Sequence, residues 1–198
     1  MRLPSFSPLL AALRDPKRWR RWGIEALILV AMVIAIGVWQ NRGLPEGAAP
    51  PLAGVRNDGV ATSLAEIQKV GAASSGRFRP DGLPAGGTAT LVVFWATWCP
   101  VCKAEEDNIS AVAADWPVVS VAMQSGDVVA VTKHLKERKL DLRAIVDEDG
   151  SIAADWRVRG VPAHFIIDPA GNIRFRVVGY ATTLGLRLRL WWAQEFPA

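Results

Sequence analysis

Cysteine and histidine are scarce in this chain of 198 residues, which contains only two of each. Cys99 and Cys102 could supply half of a zinc site, but His134 and His164 are the only nitrogen donors left, and no ligand spacing pairs them. Methionine and histidine form no cluster that would support a copper site. Internal repeats are absent, and no cysteine stands directly after the long apolar run at residues 22–39, which excludes lipid attachment to a cysteine there.

Positive charge is concentrated at the N-terminus. Residues 1–21 hold six basic side chains and one acidic side chain, a net charge of +5, whereas the whole chain carries +4 and the remainder therefore about −1. The high isoelectric point thus belongs to this flank and does not indicate a nucleic-acid partner. Residues 22–39 come close to the ~20 apolar residues that span a bilayer, and Trp19, Trp22 and Trp39 flank them as an aromatic belt would.

This pattern predicts an uncleaved signal anchor. We expect a cytoplasmic basic segment at 1–21, a transmembrane helix at 22–39, a Gly/Pro/Ala-rich linker at 40–51 and an exported domain at 52–198, because basic residues stay inside. A cleaved signal peptide is the main alternative, but the small residues 47–49 are followed by Pro50, a poor context for cleavage. A buried core helix is a further alternative, and the basic flank argues against it.

Residues 91–102, LVVFWATWCPVC, are the most informative stretch. The Val-, Phe- and Trp-rich run predicts a buried strand, and a helical pattern begins at the first cysteine. In a Cys-x-x-Cys frame both sulfurs can lie within bonding distance on the first helical turn. The helix N-terminus favours negative charge on Cys99, Pro100 is tolerated because it has no N–H to lose there, and Cys102 lies deeper, placed to close the disulfide.

The rest of the chain alternates strand and helix signals. The Asn57-Asp58-Gly59 turn predicts a hairpin within residues 52–67, and the Gly/Ser-rich residues 70–88 predict a loop. The order after the first cysteine is helix, strand, helix, strand, short helix, strand, turn, strand, helix. The predicted helices are 99–115, one that begins at Asp127, 151–156 and 182–194. The predicted strands are 118–123, 143–146, 163–168 and 173–178, the last a half-exposed edge strand, with a turn at 169–172.

Residues 94–105 resemble the active site of the thioredoxin superfamily, and in particular its membrane-anchored, TlpA-like periplasmic branch. Residues 182–193, together with the Trp-Cys-Pro-Val-Cys sequence, resemble the anchored ScsD-like members of the suppressor-of-copper-sensitivity group. The resemblance covers residues 52–193. It implies a thioredoxin-like α/β fold, a mixed central sheet flanked by helices, in a single-pass protein of the bacterial inner membrane whose catalytic domain faces the periplasm and which acts in copper tolerance.

The resemblance also implies the composition of the site. A redox-active disulfide between Cys99 and Cys102 would be its only redox group, with no metal and no other cofactor. Pro162 would be the catalytic cis-proline against that disulfide, although an ordinary trans-proline at a strand start is the alternative. The backbone of Val161 would pair with a client strand.

Client contact is expected to involve the residues around the first cysteine. Trp98 would shield the sulfur and receive the client, and Pro100 and Val101, between the cysteines, would tune the redox balance and border the same surface. Trp95 is predicted to belong to the core.

Glu105 is the remaining catalytic candidate. It follows Cys102 by three residues, on the apolar helical stripe, where TlpA-like proteins often carry a glutamate. The buried aspartate of many thioredoxins is replaced here by Val93. We therefore expect Glu105 to raise the pKa of nearby thiols and to accept the proton of Cys102. Glu106 is predicted to be a surface residue. His164 is predicted to be a satisfied histidine at the sheet edge, and a hydrogen bond from it near the site is the alternative.

The resemblance favours a thiol–disulfide oxidoreductase acting on a client protein's thiols or disulfide. Cys99 would attack and Cys102 would resolve the mixed disulfide. A reductant recharged by a transmembrane electron donor is the preferred direction. A dithiol oxidase, a cytochrome c maturation thioredoxin and a non-enzymatic module that binds Cu(I) through its thiolates remain alternatives. The residues 160–163, Gly-Val-Pro-Ala, lack the glutamate that haem-maturation relatives carry, which disfavours the cytochrome-specific alternative.

Overall fold

The computed structural model describes residues 16–41, 43–74 and 87–198 and divides the chain into two compact units, Met1–Arg42 and Gly43–Ala198. The first unit contains helix α1 (Pro16–Asn41), whose side chains are described at residues 22–32, 35 and 36. Counting only what is described, no helix is both long and apolar enough to cross a membrane. Residues 1–15 of the predicted basic segment, the side chains of Trp19 and Trp39, and residues 75–86 of the predicted loop lie outside the described residues.

The second unit contains, over its described residues, eight strands and five helices. The strands are β1 (Gly47–Ala48), β2 (Ala53–Val55), β3 (Ala61–Ser63), β4 (Thr90–Trp95), β5 (Val118–Met123), β6 (Ala144–Asp147), β7 (Ala163–Ile167) and β8 (Asn172–Val178). The helices are α2 (Leu64–Ser74), α3 (Pro100–Ala113), α4 (Val128–Glu137), α5 (Ser151–Asp155) and α6 (Thr183–Glu195).

Six strands form one mixed sheet in the order β1-β8-β7-β4-β5-β6. Strand β4 pairs in parallel with β5 and antiparallel with β7, and β5 continues in parallel to β6. All six residues of β4 are buried, as its continuous apolar sequence predicts for a central strand covered on both faces. The α/β architecture predicted from the sequence, a mixed sheet flanked by helices, is confirmed.

The two faces of β4 enter different cores because successive side chains point to opposite sides of a sheet. Val93 packs under α3 and α6, in a cluster that includes Ile109 and Leu186. Phe94 packs on the other side with Phe165 and Trp156. The ring centroids of these three aromatic residues are 4.9–5.9 Å apart, in tilted and edge-to-face arrangements that favour aromatic pairs.

Side-chain caps begin α4 and α6, at the residues where the sequence predicts that these helices start. The carboxylate of Asp127 accepts the N–H of Ala130 at 2.8 Å at the start of α4. The hydroxyl of Thr182 accepts the N–H of Gly185 at 3.2 Å at the start of α6. Each cap satisfies a backbone donor that the first helical turn leaves unpaired.

The segment predicted as a linker, residues 40–51, differs from that prediction over most of its length. Strand β1 pairs with β8, Leu44 is buried in the core, and Ala49 donates its N–H to Gly171 at 2.9 Å. The glycine and proline content of this segment is typical of a linker. A two-residue strand can form nonetheless, because its pairing needs only free backbone N–H and C=O groups. As a consequence β8 is the second strand from the sheet edge and not the edge strand predicted.

Helix α2 is the second departure. The hairpin of β2 and β3 around the Asn57-Asp58-Gly59 turn is present as predicted. Directly after it, Leu64 starts a helix that continues to Ser74, so the first residues of the predicted loop are helical. The glycine and serine content of that segment lowers its helix propensity, and the packing of Leu64 and Ile67 against the core stabilises the helix nonetheless.

Candidate active site

The loop between β4 and α3 is held by one hydrogen bond within itself and by two to the loop after β5. Cys99 donates its N–H to the carbonyl of Ala96 at 3.1 Å. The N–H of Thr97 donates to the hydroxyl of Ser125 at 3.0 Å, and the Trp98 indole donates to the carbonyl of Gln124 at 3.0 Å. The loop after β5 therefore holds the first cysteine at the carboxyl end of the central strand.

Cys99 is the N-cap residue of α3. Its sulfur accepts the backbone N–H of Cys102 at 3.1 Å, and Pro100 occupies the first turn of the helix. Both cysteines are buried free thiols. A sulfur in this position faces unpaired N–H groups and the positive end of the helix dipole, which stabilise a thiolate.

Cys102 lies one turn deeper, in surroundings that disfavour its thiolate. Burial is the main reason that the pKa of its thiol is raised far above the ordinary value. The hydrogen bond with Cys99 and the charges of Cys99 and Glu105 raise the pKa further. Cys102 therefore keeps its proton under conditions in which an exposed thiol would begin to lose it.

The loop before β7 completes the surroundings of the first sulfur. The Val161–Pro162 peptide bond is cis, as predicted. The thiol of Cys99 lies 3.6 Å from the carbonyl oxygen of Val161, to which it donates. Pro162 is buried and Val161 is half-buried.

An apolar rim, defined here as Trp98, Pro100 and Val101, flanks Cys99 in the chain and is open to solvent. Trp98 is 58% exposed and Val101 is 41% exposed, and Pro100 is exposed as well. Trp95, predicted as core, is buried, and its indole donates to the hydroxyl of Ser120 at 2.6 Å. Large exposed apolar side chains beside a buried reactive sulfur suit the binding of a client segment.

Glu105 lies on the buried face of α3, as the stripe predicts, with 1% of its surface exposed. One carboxylate oxygen accepts the N–H of Ala181 at 3.0 Å. The other lies 2.9 Å from Nε2 of His164. The carboxyl group is thus held between α3, β7 and the segment before α6, and it lines the same small cavity as Cys102.

The prediction that His164 lies at the sheet edge is wrong. Strand β7 lies between β8 and β4, and His164 pairs in register with Val93. The ring is fully buried, and its Nδ1 donates to the carbonyl of Val177 at 3.2 Å. The alternation along β7 could have placed His164 on the face of α3, because Ile166, two residues later, belongs to that core.

The prediction that Glu106 is a surface residue is also wrong. Glu106 is 7% exposed and accepts the Arg138 guanidinium at 2.7 Å, and its other oxygen lies 3.0 Å from Nε2 of His134. The hydrogen bond that Arg138 donates to Glu106 is the main reason that the pKa of Arg138 is raised. The sequence hides this contact because it depends on how α4 packs against α3.

A cavity of about 20 Å³ lies beneath the first turn of α3, large enough for one water molecule. Cys102, Glu105, Glu106 and Ser120 contribute its reactive and polar groups, and aliphatic side chains and Trp95 line the rest. Within the part of the chain that the structure describes, no group of three or more Cys, His, Asp or Glu side chains could hold a metal ion.

The sequence model of the AhpC/TSA family matches residues 76–176, just over half of the chain, including both cysteines and Pro162. The chain belongs to the AhpC/TSA family. Relatives of this AhpC/TSA protein include the "Thiol:disulfide interchange protein DsbE homolog" of Paracoccus denitrificans, 38% identical over 90 residues, which are 45% of this chain and 50% of that protein. The "Thiol:disulfide interchange protein DsbE" of Escherichia coli K12 is 27% identical over 157 residues, 79% of this chain and 83% of that protein.

Solved structures support the same fold. The "thiol:disulfide interchange protein, thioredoxin family protein" of Chlorobium tepidum aligns with a TM-score of 0.58 and 21% identity, over 75% of this chain and 97% of that chain. At this identity the likeness establishes the fold, which is thioredoxin-like. The AhpC/TSA chain spans between half and two thirds of the length of several curated relatives that it matches.

Proposed function

We propose that the protein is a thiol–disulfide oxidoreductase that exchanges disulfides with a client protein through Cys99 and Cys102. The observation that carries the proposal is the arrangement of the two sulfurs. Cys99 caps a helix and accepts an amide N–H, whereas Cys102 is buried with a raised pKa. Cys99 is therefore suited to attack a client disulfide, and Cys102 to resolve the mixed disulfide afterwards. Disulfide exchange requires these two roles.

The steps follow from this division. In the reducing direction the Cys99 thiolate attacks one sulfur of a client disulfide, and the other client sulfur leaves as a thiolate. Cys102 then gives its proton to Glu105, and its sulfur bonds to that of Cys99, releasing the second client sulfur as a thiolate. The client gains two electrons and two protons in all, and the protons come from Glu105 and solvent. The protein is left with a newly formed Cys99–Cys102 disulfide.

Client binding would use the apolar rim and the loop before β7. The Val161 carbonyl lies beside the Cys99 sulfur, so a client strand paired with the backbone of Val161 would bring its disulfide to the nucleophile. Trp98 and Val101 offer exposed apolar surface for the client's flanking side chains.

The proposal includes a membrane anchor. The net charge of +5 before residue 22 and the apolar run at 22–39 support a single pass through the bacterial inner membrane with the redox unit in the periplasm. A reporter enzyme active only in the periplasm, fused after residue 198, should be active, and the same fusion made at residue 21 should be inactive. The mature protein should retain its N-terminus, and a chain beginning near Pro50 in mass spectrometry would contradict the anchor.

We further propose that the pair works as a reductant, in an ScsD-like pathway with a transmembrane electron donor. The support is the resemblance of residues 94–105 and 182–193 to that group. A reductant should be found largely as the dithiol in growing cells, and alkylation of thiols immediately after lysis measures this. A pair recovered entirely as the disulfide would favour an oxidase.

Exchange itself is tested on the full chain in detergent. The reduced protein should cleave a peptide disulfide whose fluorescence is quenched until the bond is broken. The matched control is the Cys99→Ser/Cys102→Ser double variant, which replaces both sulfurs by hydroxyls of similar shape and whose fold is checked by circular dichroism. Equal rates for the two proteins would refute the proposed function.

A further inference from the structure

The hydrogen bonds around His164 fix the proton content of its pair with Glu105. Nδ1 faces the carbonyl of Val177 at 3.2 Å, and because a carbonyl oxygen only accepts, Nδ1 carries a proton. Nε2 faces an oxygen of Glu105 at 2.9 Å, and a hydrogen bond there needs one proton between the two atoms. The second oxygen of Glu105 already accepts from Ala181.

The shared proton makes the pair neutral as a whole. Whether the imidazole or the carboxyl carries that proton, the two side chains together have no net charge. Without it, a bare ring nitrogen and a carboxylate would be two acceptors in contact at a fully buried site, which is costly. An isolated buried carboxylate beside Cys102 would instead oppose the formation of a second negative charge.

We propose that His164 is a positioning residue of the redox site, which holds one proton against Glu105 and so offsets the negative charge that the carboxylate would otherwise place beside Cys102. The proposal deepens the proposed function and rests on it. Glu105 is the group through which His164 acts, since Glu105 lines the cavity with Cys102. The charge of Glu105 is also one of the causes that raise the pKa of Cys102.

Other charged groups near this face are already paired. Glu106, the next residue on α3, contacts Arg138 and His134 of α4. From the sheet, the residue in register with His164 is Val93, and from the opposite side the contacts to the pair are backbone groups of Val177 and Ala181. His164 is therefore the side chain in contact with Glu105 that can hold the proton.

The test measures Cys102 alone, in the full-length Cys99→Ser protein. The rate at which iodoacetamide alkylates Cys102 between pH 7 and 9 follows its thiolate fraction. Adding His164→Gln keeps a donor for Glu105 but removes the group that holds the proton. We expect Cys102 to react about tenfold more slowly, which corresponds to one pKa unit. In a protein that also carries Glu105→Gln, His164→Gln should not change the alkylation rate of Cys102, because the carboxylate whose charge His164 offsets is then absent.

The matched control is His134→Gln, which alters the other glutamate–histidine pair of α3 and should leave the alkylation rate of Cys102 unchanged. An unchanged rate in the His164→Gln protein, or an equal slowing with and without Glu105, would overturn the proposal. If His164→Gln does not fold, nitrogen NMR of His164 and carbon NMR of the Glu105 carboxyl in the unsubstituted protein decide. A proton on Nε2, on the carboxyl or shared between them at pH 7 supports the proposal, and a bare Nε2 facing an ionised carboxylate overturns it. Because alkylation needs no client, a failure of peptide exchange would refute the proposed function without deciding this result.

Discussion

The sulfur of Cys99 accepts the backbone N–H of Cys102 at 3.1 Å. The peptide N–H of Cys102 therefore stabilises the thiolate form of Cys99, while the thiol of Cys102 remains buried and protonated. One helical turn thus gives two chemically identical side chains different reactivities.

The first prediction concerns which cysteine attacks. In Cys102→Ser protein the mixed disulfide with a client cannot be resolved, so we expect covalent client complexes to accumulate and to disappear on reduction. Cys99→Ser should trap few or none, because the raised pKa of Cys102 keeps its thiol protonated. Non-reducing gels followed by mass spectrometry measure both. Complexes formed predominantly by the Cys99→Ser protein would reverse the assignment.

The second prediction is the pH dependence of folding stability in the reduced protein. The pKa of Cys102 is raised in the folded state, so the unfolded thiol loses its proton first as the pH rises. Cys102 should therefore cost stability above about pH 9, with a slope of about 1.4 kcal/mol per pH unit, and should leave stability unchanged below pH 7. Urea unfolding between pH 7 and 10 compares the reduced protein with Cys102→Ser, whose stability should lack this slope. Parallel curves for the two proteins would contradict the raised pKa.

The third prediction separates the adjacent glutamates. Glu105→Gln should lower the pKa of Cys102 only slightly while His164 is present, because the carboxylate raises that pKa but the proton held by His164 already offsets its charge. It should also slow resolution of the mixed disulfide roughly tenfold or more, since a local base is lost. Stopped-flow release of a labelled client measures the resolving step.

Glu106→Gln is the matched control for that experiment. It should leave resolution unchanged but destabilise the fold by about 1 kcal/mol, because Arg138 and His134 lose a carboxylate partner. Equal resolution rates in Glu105→Gln and Glu106→Gln proteins would remove Glu105 from the mechanism.

The fourth prediction concerns Gly54, where β2 approaches β6 closely. A Cβ atom at this position would lie 2.5 Å from a methyl carbon of the buried Ile145 side chain. Gly54→Ala should therefore destabilise the protein by about 1–3 kcal/mol through overpacking. Gly160→Ala is the control, because a Cβ atom there would meet nothing within 4 Å. Thermal unfolding should show a clearly lower Tm for the first variant than for the second.

The sequence was sufficient for the features that depend on local pattern. The apolar run of β4, the helix that begins at the first cysteine, and the stripe that buries Glu105 follow from periodicity. The cis geometry at Pro162 and the thioredoxin-like sheet followed from the family resemblance of residues 94–105. These elements are fixed by neighbours in the chain or by a motif that only one fold uses.

The features that were missed depend on contacts between distant segments. Glu106 is buried because α4 places His134 and Arg138 over it, and no spacing within α3 indicates that. The edge placement of His164 is wrong because β7 pairs with β4 on one side and with β8 on the other. The Gly/Pro-rich segment that looks like a linker moves only β8 inwards, through its pairing with β1. Both histidines of the chain were judged singly, whereas each is one half of a pair with a glutamate on α3.

The segment before the central strand has a consequence for self-association. Strand β1 pairs along β8 at one end of the large sheet, and at the other end Arg56 forms an antiparallel bridge with Ile145 of β6. Open strand edges are templates on which a second molecule can add its own strand. Because residues 47–56 occupy part of both ends, less of each sheet edge is open to a strand of a second copy. We expect resistance to edge-to-edge association to depend on these residues, which lie far from either cysteine in the sequence.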